Sequence, residues 1–212
     1  MPKPASQTTS NVPAGWRRDL DRVLISEEQI ARRVRELARD ITRDFAGRET
    51  IVVAILNGTL MFLADLIRLL DFPLRLDFVG VSSYGQGTTS GELVFTRPNS
   101  LDVRGRDVLV VDDILDTGKT LDRVTLHLRQ FKPRRLRTCV LLDKKARRQI
   151  KIRGDYTGFQ IPDEFVVGYG LDFAERYRNL PFIGVLKPEI FQGAPVPATA
   201  SPRNGARAGR TA

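Results

Sequence analysis

Two acids, Asp112 and Asp113, directly follow the apolar run Val108–Val111, and Asp116, Thr117, Gly118, Lys119 and Thr120 complete the block VLVVDDILDTGKT. A lone charge leaving a buried strand needs compensation, because uncompensated burial is costly. Paired carboxylates at a strand mouth suit sugar hydroxyls or a hard cation such as Mg²⁺. The alternative is a helix-capping acid beside a solvated neighbour. In DTGKT, Gly118 permits unusual dihedrals and close approach. The backbone N–H groups of residues 117–120, with the Thr117 and Thr120 hydroxyls, could wrap a phosphate, and Lys119 adds charge. The GKT triplet is not a nucleoside-triphosphate loop. That pattern is GxxxxGK[ST], and its first glycine would fall on Asp113, whose carboxylate would repel a phosphate.

The elements that must position these groups are read from periodicity. Ser26 and Gln29 form a capping box ahead of a helix with the apolar face Ile30, Val34, Leu37, Ala38 and Ile41, stopped at Gly47. Thr50–Leu56 is a buried strand, Asn57–Gly58 a turn, and Leu60–Leu70 a helix. Leu74–Ser83 is a strand, Tyr84–Gly91 a mobile glycine-rich loop, and Glu92–Thr96 a hairpin arm. Asp107–Val111 is the strand that ends at the acid pair. Thr117–Phe131 is a helix and Arg134–Leu142 a strand at the sheet edge. Short strands follow near Phe165–Val167 and Phe182–Leu186, with Asp172–Arg178 as a solvated short helix between them.

Apolar strands alternating with helices predict an α/β fold: a Rossmann-like parallel sheet flanked by helices. Ligands in such folds bind at the carboxyl ends of the strands. Asn57–Gly58, Asp112–Thr120 and Asp143–Lys144 all fall there.

The chain has 212 residues and a net charge of +9, which invites a nucleic-acid reading. Residues 1–18 and 192–212 each carry three basic residues and no acid, so the body is only +3. The charge reads as basic tails on a near-neutral body rather than as a nucleic-acid groove. Residues 1–15 and 192–212 are expected to be disordered, and one folded domain to span 16–191. The single cysteine, Cys139, excludes an internal disulfide and is expected to fill a buried strand position. His127, the only histidine, is assigned to surface or packing, so no Ser–His–Asp triad or zinc cluster is available. No apolar run is long enough for a membrane span, and MPKPASQTTSNVPAG lacks the apolar segment of a secretory signal, so a cytoplasmic location is expected.

VLVVDDILDTGKT resembles the phosphoribosyl-pyrophosphate-binding block of the type I phosphoribosyltransferases. SSYGQGTTSG at 82–91, LLDKKARR at 141–148 and IPDEFVVGYGLDFAERYRNLPFIGVLKPEIF at 161–191 are similar to its hypoxanthine (guanine) branch. The resemblance covers roughly residues 20–191. It implies a small hood and a flexible lid loop on the sheet. The implied reaction moves a 5-phosphoribosyl group from its 1-pyrophosphate to a purine ring nitrogen with Mg²⁺, in a homodimer or homotetramer.

By the same resemblance, Asp112 and Asp113 would hold the ribose hydroxyls directly or through Mg²⁺. Asp116 would sit by the purine N7 as proton acceptor, and Thr117, Gly118, Lys119 and Thr120 would cradle the 5-phosphate. Asn57, Gly58, Ser83, Tyr84 and Arg178 would meet pyrophosphate. Lys144 would contact the purine 6-oxygen, Phe165 would stack on the ring, Val166 would supply backbone contacts, and Asp172 would complete the site through the metal. From composition alone, FVV at 165–167 reads as core and Lys144 as a solvated strand cap. Many relatives carry Lys at Asn57, in a turn that often contains a non-proline cis peptide, and often Glu at Asp112. Two alternatives remain open: a xanthine-preferring enzyme, and a nucleotide-sensing RNA-binding regulator using the basic stretches Arg129–Arg137 and Lys144–Arg153.

Overall fold

The first five residues of β2 (Thr50–Leu56) and the first five of β5 (Asp107–Leu115) lie side by side in parallel register at the centre of a six-stranded sheet. The computed structural model describes residues 12–84 and 92–192. Strand order is β4-β3-β2-β5-β6-β7, with β3 spanning Leu74–Tyr84, β4 Glu92–Arg97, β6 Arg135–Asp143 and β7 Tyr156–Gln160. Every pairing is parallel except β3 with β4.

The absence of polar alternation in the central strands has a direct cause. Val52 and Ala54 of β2, with Leu109 and Val111 of β5, enter one core together with α1 (Glu27–Phe45) and α2 (Leu60–Ile67). Ile51, Val53 and Ile55, with Val108 and Val110, enter a second core under α3 (Lys119–Gln130). A strand covered on both faces must be apolar at every position. The capping box of α1 is formed on both sides, and its predicted apolar positions are all buried. Cys139 is buried in β6. His127 packs between Phe95 and Phe131, and its Nε2 lies 2.9 Å from the Asn99 side-chain oxygen.

A second, antiparallel sheet of order β1-β9-β8 forms the hood, from Leu20–Ile25, Ile183–Leu186 and Val166–Val167. The short helix α4 (Pro188–Phe191) follows it. Its core gathers Leu20, Val167, Tyr177, Leu180, Phe182 and Leu186 with Val12. Val12 of this core lies inside the segment 1–15 expected to be a tail. The expected loop 85–91 and residues 193–212 lie outside the described residues.

Four expectations are corrected. The acid pair does not end β5, because Ile114 and Leu115 still pair with Leu142 and Asp143 of β6. The strand preceding Lys144 is not at the edge, because β7 pairs outside it. Helix α3 starts at Lys119, after Gly118 in the left-handed region at φ 88°. Residues 172–178 form a tight hairpin turn with a Phe173–Arg176 bridge and positive φ at Ala174, Glu175 and Tyr177, not a helix.

Candidate active site

The chain runs from β2 outward to β3 and β4, then returns to the other side of β2 and runs outward again through β5, β6 and β7. Connections leaving β2 and β5 thus diverge, and the crevice between them is the topological switch point where such sheets bind ligands. A cavity of about 380 Å³ occupies it. Asn57, Gly58, Asp112, Asp113, Asp116, Thr117, Gly118, Thr120, Asp172 and Arg178 all line this cavity.

The turn after β2 contains a cis peptide between Leu56 and Asn57. Gly58 fits there for a steric reason: a Cβ on it would lie 1.7 Å from Asp113 Oδ2. Gly170, at φ 101°, presses on the same turn, its hypothetical Cβ only 1.9 Å from the Gly58 carbonyl oxygen. Two glycines therefore let the β2 turn, the β5 acid and the hood converge.

Asp112 is buried, and its Oδ1 accepts from the Asp113 N–H at 3.1 Å, with the Thr59 hydroxyl at 3.5 Å. Asp113 Oδ1 accepts from the Ile114 N–H at 2.8 Å. Burial first, then the adjacent Asp113 charge, pushes Asp112 well above the usual carboxylate range. Burial raises Asp113 too, opposed by the Ile114 N–H and the Arg178 charge. Such a pair gains from ligand hydroxyls or a hard cation that stabilises its charge. Among the described residues, no three acid, His or Cys side chains converge to hold an ion. A cage of Asp112, Asp113 and Asp172 is thus not formed by the protein alone. Mg²⁺ characteristically takes one or two carboxylates and completes its shell with water and phosphate, which the acid pair suits.

Asp172 Oδ1 lies 2.9 Å from Arg178, and its Oδ2 accepts from the Glu175 N–H. Arg178 also donates to the Gly170 carbonyl at 2.8 Å, so its guanidinium is held at the cavity wall. Asp116 Oδ1 is buried without a hydrogen-bond partner, while its Oδ2 lies 3.5 Å from Arg147. An unpartnered buried acceptor at a cavity wall awaits a donor.

Lys144, Phe165 and Val166 do not line this cavity but stand together beside it. Lys144 is 5% exposed, contrary to a solvated strand cap, and its Nζ donates to the Glu164 carbonyl at 2.8 Å. Phe165 is 37% exposed, stacked on Phe191 with centroids 4.8 Å apart and met edge-on by Phe173. Val166 is buried in β8. Lys119 opens α3 without lining the cavity, and its N–H lies 3.4 Å from the Thr117 hydroxyl. Ser83 and Tyr84 end β3, paired with Leu93 and Glu92. Tyr177 packs, donating to Asp19 at 2.9 Å. Sequence reasoning gave Arg148 no role of its own: its guanidinium donates to the carbonyls of Leu115, Asp116 and Ile152 and to Asp143. Its position in a run of basic residues gave no signal of this.

A family model described as phosphoribosyl transferase domain matches residues 24–174. The hypoxanthine-guanine phosphoribosyltransferase of Bacillus subtilis is 45% identical over 175 residues, covering 82% of this chain and 97% of that protein. The bifunctional protein TilS/HprT of Listeria monocytogenes is 48% identical over 174 residues, covering 82% of this chain. The chain matches only 27% of that longer relative's length. The crystal structure of a hypoxanthine phosphoribosyltransferase from Staphylococcus aureus superposes with a TM-score of 0.81 at 44% identity, covering 85% of this chain and 99% of that one.

Proposed function

The chain belongs to the phosphoribosyltransferase family, in its hypoxanthine-guanine branch, and we infer that it transfers the 5-phosphoribosyl group of 5-phosphoribosyl 1-pyrophosphate to hypoxanthine or guanine. The products are IMP or GMP and pyrophosphate, a purine-salvage reaction. The observation that carries this reading is the crevice between β2 and β5. It gathers a buried acid pair, the glycine-containing turn 116–118, and Arg178 on one cavity of about 380 Å³.

The roles follow from chemistry at each position. Asp112 and Asp113 accept from the ribose 2- and 3-hydroxyls or hold Mg²⁺ with them. When bound, Mg²⁺ neutralises charge on the departing pyrophosphate. The Thr117–Thr120 turn takes the 5-phosphate. Backbone groups at Asn57–Gly58, with Arg178, meet the pyrophosphate, and the Asn57 side chain contributes no positive charge there. Ser83 and Tyr84, at the end of β3, would touch pyrophosphate. The ribosyl carbon becomes oxocarbenium-like as the bond to pyrophosphate breaks, so stabilising the leaving group dominates the barrier. Asp116 Oδ1 receives the N7 proton of the incoming base.

Lys144 has three donors, of which the Glu164 carbonyl takes one. The others serve a purine 6-oxygen and find no acceptor on the 6-amino group of adenine. Phe165, backed by Phe191, offers a ring for stacking, and Val166 its backbone. Asp172 contributes through metal-bound water. The phosphoribosyl donor is heavily phosphorylated and does not cross membranes unaided, so the reaction belongs in the cytoplasm that makes it. No helix among the described residues is long and apolar enough to span a membrane. Leu60 and Met61, exposed on α2, suit a contact between copies in a homodimer or homotetramer.

The test is a steady-state assay with phosphoribosyl pyrophosphate and Mg²⁺ against hypoxanthine, guanine, xanthine and adenine. Turnover of the first two, lost on chelation, is expected. Dominant xanthine turnover would overturn the base preference, and no turnover with any purine would overturn the reaction.

A further inference from the structure

The turn at residues 115–118 does not hold its own shape. The Leu115 carbonyl accepts from the Lys144 N–H at 3.0 Å and from Arg148 at 3.0 Å. The Asp116 carbonyl accepts from Arg148 Nε at 2.9 Å. The Thr117 carbonyl accepts from the N–H groups of Gln149 and Ile150 at 2.9 and 3.1 Å. Three successive carbonyls are thus turned toward one strap, residues 144–152. Gly118 shows the same sidedness: a Cβ there would meet Ile152, Arg148 and the Ile150 carbonyl.

The consequence follows from peptide geometry. These peptides are trans, since the only cis bond in the described chain precedes Asn57. In a trans peptide the N–H points opposite to the carbonyl before it. The N–H groups of Asp116, Thr117 and Gly118 therefore point away from the strap, on the side where the cavity is lined by the same residues. None of the three donates to a protein acceptor among the described residues. Successive free N–H groups on one side of a turn make an anion-binding concavity.

We propose that Arg148 is the positioning residue of this concavity, a side chain that touches no substrate yet aims the donors that bind the 5-phosphate. Its planar fork reaches two of the three carbonyls, while its charge is balanced by Asp143, which is itself buried. Four acceptors surround one guanidinium: the carbonyls of Leu115, Asp116 and Ile152 and the Asp143 carboxylate. A lysine ammonium has three donors and no fork, so it cannot reproduce the set. The proposal rests on the phosphoribosyl reading of the cavity.

The experiment compares wild type, Arg148→Ala and Arg148→Lys in steady-state kinetics, with ribose 5-phosphate binding measured by calorimetry. The Ala variant is expected to raise KM for phosphoribosyl pyrophosphate about ten- to a hundredfold, the range for loss of groups that orient a ligand's partners. The ribose 5-phosphate affinity should fall in parallel, while KM for hypoxanthine stays within about threefold. The Lys variant should share the defect. If both variants lose kcat and thermal stability with both KM values unchanged, Arg148 is merely structural and the proposal fails. Full recovery by Lys would also overturn it, since charge alone would then suffice. If Ala does not fold, the Lys ratio decides. Inert wild type that still binds ribose 5-phosphate would overturn the purine reaction alone, and calorimetry on the variants would still decide Arg148. Wild type that does not bind ribose 5-phosphate would overturn the cradle and Arg148's role with it.

Discussion

In the proposed reaction Asp116 and Lys144 meet the same base with opposite kinds of chemistry, and each gives a separable prediction. Asp116→Asn keeps the turn's backbone and the cradle but replaces a proton acceptor by an amide. It should lower kcat about 10²–10⁴-fold with KM for phosphoribosyl pyrophosphate within about threefold, and equal loss of both would remove the role. Lys144→Ala should narrow the preference for hypoxanthine over adenine by about tenfold or more, because the wild-type site penalises a base that leaves buried donors unpaired. An unchanged ratio in a competition assay would contradict the contact. Much of this level was legible in the residues. The acids, Gly118 and the threonines are chemically informative types in close spacing. From residue type alone Lys144 and Arg148 were not legible, since a lysine after a strand and an arginine in the run KKARR look solvated; only the family resemblance pointed to Lys144. Their burial depends on the Glu164 carbonyl and the Leu115–Thr117 carbonyls, which only the fold brings near.

At the level of elements, β3 is tied to the segment before β5 through one buried acid. Asp77 accepts from the N–H groups of Phe78, Ser100 and Leu101 and from the Ser100 hydroxyl, at 2.6–2.9 Å. Burial alone would raise its pKa, but these donors outweigh it and hold the carboxyl below its ordinary value. A depressed carboxylate contributes stability that is present above the unfolded pKa, about 4, and is lost as pH falls through the folded one. Asp77→Asn should cost about 2–3 kcal/mol at neutral pH and flatten the decline in stability below pH ~4. Urea melts of both proteins across that range test it, and parallel pH curves would contradict it. The helices and central strands were legible because a 3.6-residue face and a wholly apolar run are strong patterns. β1 and β7 were not. β1 (LDRVLI) mixes charges with apolar residues and carries register shifts against β9. β7 (YTGFQ) is a partly buried edge strand. Pairing partners far along the chain, rather than local sequence, make both of them strands.

In the whole molecule, the sheet and the hood are joined at the side proposed to bind the base. Arg22 of β1 grips both Glu164 oxygens at 2.5 Å, and the Glu164 carbonyl holds Lys144. The hood thereby steadies a residue of the sheet. Part of the basic stretch considered for RNA is engaged within the protein: Arg134 pairs with Asp107, Arg137 with Asp155, and Arg148 is enclosed by the turn. Cys139 reports on the integrity of the assembly, because burial drives its thiol pKa up and hides it from solvent. The thiolate is the reactive form. Iodoacetamide should therefore label the native protein at pH 8 far more slowly than the protein in denaturant, and equal rates would mean that the central sheet opens readily. The hood sheet also imposes an order in time. β1 is made well before its partner β9, which comes only with residues 183–186. A growing chain can carry the whole phosphate turn while the wall that presents the base is still missing. A chain that ends before β9 is therefore expected to bind phosphate at the turn yet fail to transfer to a purine.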